Sequence, residues 1–109
     1  MRVLRGLFHP YTQSITMLTN NSERDIRFKA VTLLVELVKK KLVNYQYVLM
    51  LFSRMMDREI ANMKVAILAR LKVFPEDALV DAIIQKGRVD NYFWVRQVAR
   101  ECIMKSFCK

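Results

Sequence analysis

Apolar residues recur with helical spacing in six segments of the chain, and short polar stretches, proline or glycine separate these segments. The pattern predicts helices that begin near Pro10, Ser22, Asn44, Asp57 and Pro75, with a last helix after residues 90–91. Connections of about two to five residues place consecutive helices side by side and antiparallel. The chain is therefore expected to be all-α, either a stack of helix hairpins or a simple six-helix bundle.

Capping and chain-breaking residues define the expected helix ends. Asn44 is a favourable N-cap for the third helix, and Ser22 with Asp25 resembles a capping box at the start of the second. Pro75 is expected to end the fourth helix and to begin the fifth, which Gly87 would stop.

The chain partly matches itself when it is shifted by 34 residues, the distance from Tyr11 to Tyr45 (45 − 11 = 34). The clearest match places residues 23–26 on residues 57–60, with the sign of each charge kept. A third copy follows with one extra residue. The self-match predicts one domain, residues 1–109, with repeats at about residues 10–41, 44–74 and 75–107.

The second predicted helix carries the pattern D-I-R-x-x-A-x-x-x-L-x-x-L from Asp25 to Leu37. This pattern resembles the second helix of a HEAT repeat, of the armadillo-like α-solenoid family, and Val95, Arg96 and Ala99 repeat part of it. The resemblance implies three tandem antiparallel helix hairpins stacked as a short right-handed α-solenoid. The period equals that of tetratricopeptide repeats, but the glycine and proline positions of that family are not filled here.

The resemblance also implies a structural ladder. In HEAT repeats, an aspartate in the loop and an arginine of the second helix form hydrogen bonds between successive repeats. Asp90 and Arg96 are similar to such a pair, and Asn21 and Arg27 hold the corresponding positions in the first repeat. The middle repeat departs from the pattern, since Ala61 replaces the arginine.

The charge balance favours acidic partners. The chain has 19 lysine and arginine residues against 10 acidic residues, a net charge of +9. Such a charge raises encounter rates with nucleic acid or acidic proteins without selecting between them. The apolar runs are shorter than a signal-peptide core or the ~20 residues of a membrane span. The sequence therefore predicts an intracellular protein, cytoplasmic or nuclear, without membrane insertion.

Residues for catalysis or for metal binding are scarce. The chain has one histidine, and its acidic residues lie mostly near predicted helix ends. Cys102 and Cys108 are spaced so that they face different sides of a helix, and no further cysteine or histidine pair completes a zinc site. The expectation is a non-catalytic protein with no catalytic residue, metal, cofactor or small-molecule substrate.

Basic residues concentrate at the turns inside the predicted repeats. A predicted binding ridge along these turns comprises five cations and two neighbouring aromatic residues: Arg24, Arg54, Arg58, Lys86, Arg88, Tyr92 and Trp94. Aromatic residues and arginine dominate the hot spots of protein interfaces. The alternative is that these cations pair with acidic residues of the same turns. A secondary basic run, Lys39, Lys40 and Lys41, is also explained by its position at a helix C-terminus.

The leading functional hypothesis is a protein-interaction or scaffold module that binds an acidic partner surface. The alternative is DNA or RNA binding through the basic surface, which the architecture of HEAT-like alkylation-repair glycosylases can support. Self-association is a further expectation, because the terminal repeats expose apolar residues: Tyr11, Ile15 and Leu18 in the first helix, and Phe93, Ile103 and Phe107 in the last.

Overall fold

All regular secondary structure in the described part of the chain is helical. The structure is a computed structural model that describes the backbone of residues 12–107 and the side chains of residues 12–102. The helices are α1 (Thr12–Leu18), α2 (Arg24–Lys39), α3 (Tyr45–Met56), α4 (Ala61–Arg70), α5 (Ala78–Arg88) and α6 (Phe93–Phe107). A 3-10 turn, Leu71–Val73, follows α4. The all-α prediction is confirmed for these residues.

The chain divides into two compact units, an N-terminal unit Met1–Val48 and a C-terminal unit Leu49–Lys109. In the N-terminal unit α1 packs against α2, and the Thr16 and Tyr47 hydroxyl groups share a hydrogen bond of 3.0 Å. In the C-terminal unit α4 packs against both α5 and α6, and α5 packs against α6. The boundary between the units falls within α3.

The C-terminal unit has a core of large apolar side chains. Phe52 is fully buried, and its ring meets the edge of Phe74 with 5.9 Å between the ring centroids. The other large, fully buried side chains of this unit are Leu49, Met55, Met63, Ile67, Leu68, Ile83 and Val95. Burial of each such side chain contributes about 1.5–3 kcal/mol, so the apolar pattern read from the sequence is what holds these helices together.

The predicted N-cap at Asn44 is confirmed, but the one at Ser22 is wrong. The Asn44 carboxamide oxygen accepts a hydrogen bond of 2.8 Å from the Gln46 amide, one residue into α3. At α2 the N-cap residue is Glu23, whose side chain forms no capping bond, and the Asn21 side-chain oxygen accepts a bond of 2.8 Å from the Glu23 amide in the turn before the helix. Helix α2 accordingly begins at Arg24 rather than at the predicted capping box.

The predicted boundary at Pro75 is also shifted. Helix α4 ends at Arg70 and tightens into the 3-10 turn, and Phe74 then adopts the extended conformation that a following proline favours. Helix α5 begins only at Ala78, because the Asp77 carboxylate caps it by accepting a bond of 2.8 Å from the Leu79 amide.

The prediction that Gly87 stops the fifth helix is wrong. Gly87 lies inside α5, is buried, and does not adopt a positive φ angle. A Cβ atom at this position would stand 2.9 Å from the Ala99 Cβ and 3.0 Å from the Leu68 Cδ1. The glycine is therefore a close-packing residue, which lets α5 approach α6 and α4.

Candidate binding surface

The structure distributes the predicted ridge over both units. Arg24 is the exposed first residue of α2 in the N-terminal unit. The remaining members, Arg54, Arg58, Lys86, Arg88, Tyr92 and Trp94, belong to the C-terminal unit. These six residues therefore lie within one compact unit.

Lys86 ties the end of α5 to the end of α3. Its ammonium group donates to the Ser53 carbonyl oxygen at 2.9 Å, to the Ser53 hydroxyl at 3.0 Å and to the Asp57 carboxylate at 3.0 Å. These three acceptors match the three donors of an ammonium group. Lys86 is thus a structural clamp in this unit rather than a cation available for a partner.

A second ion pair joins the start of α4 to the turn before α6. The Lys64 ammonium lies 2.6 Å from the Asp90 carboxylate, and both side chains are largely buried. The other Asp90 carboxylate oxygen accepts a bond of 2.8 Å from the Tyr92 amide. Lys64 is a residue that sequence reasoning missed, because its partner is distant in the chain.

The pKa of the Asp90 carboxyl lies below its usual value. Burial acts to raise this pKa, but the hydrogen bonds from Lys64 and the Tyr92 amide, together with the charges of Lys64 and Arg96, outweigh burial. The Asp90 carboxylate is therefore a fixed negative charge at neutral pH, and Lys64 compensates it.

The two clamps bring two turns to the same end of the C-terminal unit. We call residues 57–60 and 88–94, with the adjacent Arg54, the turn surface. Asp57 and Asp90 in these turns pair with lysines and not with the neighbouring arginines. Arg54, Arg58 and Arg88 are exposed, and none of them forms an ion pair with the described residues.

Exposed apolar side chains accompany these arginines. The exposed fraction is 79% for Val89, 53% for Tyr92, 52% for Phe93 and 61% for Trp94. We call these four residues the aromatic turn. Val89 and Phe93 were absent from the predicted ridge, because no local pattern distinguishes an apolar residue at the surface from one in the core.

Contacts with Arg96 and between two rings brace the aromatic turn. The Phe93 and Trp94 rings meet edge to face with 5.4 Å between centroids, and the Arg96 guanidinium lies 6.0 Å from the Phe93 centroid. The half-buried Arg96 donates to the carbonyl oxygens of Asp90 at 2.8 Å and Asn91 at 3.0 Å. These bonds fix the turn that precedes α6.

The predicted ladder residues form the same local arrangement in both units. Arg27 donates to the Asn21 carbonyl oxygen at 2.9 Å and to the Ser22 carbonyl oxygen at 3.2 Å, as Arg96 does to its own turn. The acceptors are main-chain carbonyl groups, and the Asp90 carboxylate instead bonds Lys64. The ladder role implied by the HEAT resemblance stays a prediction.

The secondary basic run forms the end of α2. All three lysines are exposed, and Lys39 contacts Glu36 at 3.4 Å. Lys41 has a positive φ of 58°, and the bonds from the Lys41 and Leu42 amides to the carbonyl groups of Val38 and Leu37 complete a Schellman motif. The run therefore has a clear local role in ending the helix.

A small apolar groove lies at the opposite end of the C-terminal unit, where α4 ends and α5 begins. Its volume is about 220 Å³. The half-buried Cys102 lines it, and the thiol contacts the Leu68 carbonyl oxygen at 3.4 Å. Three charged residues, Lys72, Glu76 and Glu101, also line it.

Other kinds of site are not found in the described part of the chain. Within it, histidine, cysteine, aspartate and glutamate residues form no group of three or more that could hold a metal ion. The described helices are also too short or too polar to cross a membrane.

No family model, curated protein or solved structure matches the chain. The residues of the candidate surface are therefore the basis for a functional proposal.

Proposed function

We propose that this chain is a non-catalytic interaction module that binds an acidic surface of a partner protein through the turn surface. One observation carries the proposal. Three arginines without ion-pair partners among the described residues lie at the same end of the C-terminal unit as four exposed apolar side chains. Fixed aromatic residues beside arginines supply large contact areas at low entropic expense, as in interface hot spots.

The composition of the turn surface favours a protein partner over nucleic acid. Base stacking would use Tyr92 and Trp94, but Val89 and Ile60 are exposed aliphatic residues that suit apolar protein side chains. The densest cationic segment, residues 39–41, belongs to the other unit and has a local role. Nucleic-acid binding remains the second candidate, because the net charge of +9 would support phosphate contacts.

A HEAT-like solenoid is our proposal for the architecture. The matching bonds of Arg27 and Arg96 support a repeated helix-turn unit. The packing of α4 on α6 supports it too, because solenoids stack the second helices of successive hairpins. The 34-residue self-match is less informative, since residues 23–26 span the start of α2 whereas residues 57–60 all precede α4.

The test compares two triple charge reversals. One variant combines Arg54→Glu, Arg58→Glu and Arg88→Glu, and its control combines Lys39→Glu, Lys40→Glu and Lys41→Glu. Surface charges contribute little to folding, so both variants should keep the helical circular dichroism spectrum. Binding to a labelled glutamate-rich peptide is expected to be lost in the arginine variant and kept in the lysine control. The opposite result would assign binding to the lysine run.

Salt dependence separates the two functional candidates. Duplex DNA binding should weaken steeply with salt, in proportion to the number of phosphates neutralised. A protein contact that depends on apolar residues should be much less sensitive. If the chain binds DNA at physiological salt and does not bind the acidic peptide, the second candidate replaces the first.

A further inference from the structure

We infer that the partner segment is amphipathic: it carries carboxylates for the arginines of the turn surface and large aliphatic side chains for the aromatic turn. This inference rests on the proposed function and specifies the chemistry of its partner. An acidic segment without apolar residues would leave the aromatic turn exposed to water, although it would satisfy the arginines.

The charges at this end of the unit favour an acidic partner. Lys86 and Lys64 are occupied by Asp57 and Asp90, so the two clamps contribute no net charge. The other charged residues of the turn surface are the exposed Arg54, Arg58 and Arg88 and the buried Glu59, so three cations against one acidic residue leave the surface positive. Arginine groups in this situation bind carboxylates in bidentate fashion.

The exposed apolar area requires an apolar component as well. Trp94 and Tyr92 are each more than half exposed, and Val89 is almost fully exposed. Single exposed apolar residues are common on proteins, but here four lie within the six-residue stretch 89–94. Covering this stretch with aliphatic side chains removes apolar area from water on both partners.

The aromatic turn is also prepared for binding. The Asp90 bond to the Tyr92 amide, the Arg96 bonds to carbonyl groups and the contact between Phe93 and Trp94 all exist before any partner arrives. Side chains that are already ordered lose little conformational entropy on association. The turn therefore acts as a preformed recognition element rather than as a flexible loop.

The experiment uses Trp94 as its reporter, because it is the only tryptophan of the chain. The protein is titrated with three peptides of equal length without aromatic residues. The first contains glutamates and two leucines, the second replaces the leucines with serines, and the third replaces the glutamates with glutamines. The first peptide is expected to shift Trp94 emission to the blue and to bind at least about tenfold more tightly than either other peptide.

Variants of the protein test whether the aromatic turn binds the leucines of the peptide. Affinity is measured by the anisotropy of a dye attached to the peptide. Trp94→Ala is expected to bring the affinity ratio of the first two peptides close to one. Leu33→Ala, which changes an exposed apolar residue of the N-terminal unit, should leave the ratio unchanged. Circular dichroism checks that both variants are folded.

The outcomes separate this inference from the proposed function. Equal affinity for the two acidic peptides, with loss of both in the triple arginine variant, would overturn the inference and leave the proposed function intact. Failure of both acidic peptides to bind would overturn both. A shift of Trp94 emission with anionic phospholipid vesicles or single-stranded DNA, but with no peptide, would also overturn both.

Discussion

At the scale of single residues, two positions contradict simple propensity. Gly87 lies within α5, where alanine would be the better helix former by about 1 kcal/mol. Lys41 holds a left-handed conformation that usually belongs to glycine. The close packing around Gly87 explains the glycine, whereas the left-handed conformation of Lys41 raises the energy of the folded state. Each position allows a mutational test.

Gly87→Ala is expected to destabilise the protein despite the gain in helix propensity. The new Cβ would stand 2.9 Å from the Ala99 Cβ, and both atoms are attached to helix backbones that must move apart. Overpacking of this kind raises the energy of the folded state by about 1–3 kcal/mol. Chemical denaturation should show a lower midpoint, and the second change Ala99→Gly should restore part of the loss. An unchanged midpoint would mean that α5 and α6 are less closely packed than described.

Lys41→Gly is expected to stabilise the protein by up to about 1 kcal/mol. Glycine adopts a φ of 58° without the steric penalty that a Cβ atom incurs in the left-handed region. Lys40→Gly is the matched control, because Lys40 has a φ of −87° and gains nothing from glycine. Thermal unfolding should therefore move in opposite directions for the two variants. A lower melting temperature for Lys41→Gly would contradict the Schellman geometry.

At the scale of helices and turns, the C-terminal unit depends on polar contacts between distant segments. Lys64 in α4 and Lys86 in α5 each bond a turn outside their own helix. Arg96 then braces the turn that carries the aromatic residues. The candidate site is thus positioned by clamps that surround it and not by the helices alone.

Lys64→Gln should destabilise the protein at neutral pH by about 1.5–3 kcal/mol, the contribution of a hydrogen bond to a charged group. This difference in stability between wild type and variant should disappear in acid. Because the folded pKa of Asp90 is lowered, its stabilisation is complete above the ordinary aspartate pKa of about 3.9 and decreases as pH falls through the lowered value. Urea unfolding of wild type and variant from about pH 6 to about pH 2 measures this convergence.

The matched control for this experiment is Lys39→Gln. The contact of Lys39 with Glu36 is exposed, and exposed pairs contribute about 0–1 kcal/mol. A constant difference between wild type and Lys64→Gln over the whole pH range would show that Asp90 ionisation is not the source of the stabilisation.

Arg96→Ala should lower the melting temperature by several degrees, since it leaves two carbonyl groups without their guanidinium donor and removes the cation near Phe93. The substitution should also weaken binding of the leucine-containing acidic peptide more than binding of its serine version, because the aromatic turn loses the bonds from Arg96. Arg27→Ala, which removes the corresponding bonds in the N-terminal unit, should destabilise without changing peptide selectivity.

At the scale of the whole molecule, the remaining expectation is self-association. Met17 and Leu18 in α1 are exposed, and so is Phe93 at the start of α6. Of the other residues expected at the terminal faces, Ile15 is half-buried, while Tyr11 and the side chains of Ile103 and Phe107 lie outside the described residues.

The isolated chain is expected to be at least a dimer at micromolar concentration. Light scattering coupled to size exclusion should give a mass above the 12.9 kDa of one chain. Leu18→Asp should reduce the mass, because it places a charge on the exposed face of α1, whereas Leu33→Ala should not. A wild-type mass of one chain at high concentration would contradict the expectation.

The helices and their order could be read from the sequence because helical periodicity is a local property. The spacing of apolar residues and the cap at Asn44 act within a few residues, and both appear in the structure as predicted. The excess of basic residues at the turns was equally visible. These features define an all-helical chain with a net positive charge and the general location of the proposed binding surface.

Only the tertiary structure decided which of those basic residues are available and what accompanies them. Asp90 bonds Lys64, and Lys86 bonds Ser53 and Asp57. Gly87 packs against Ala99. Each partner is distant in the chain. Exposure of Val89 and Phe93 likewise depends on whether another helix covers them. These contacts depend on the distances between packed helices, which no local pattern encodes. They leave three arginines of the seven-residue predicted ridge without ion-pair partners among the described residues of the C-terminal unit, beside the aromatic turn.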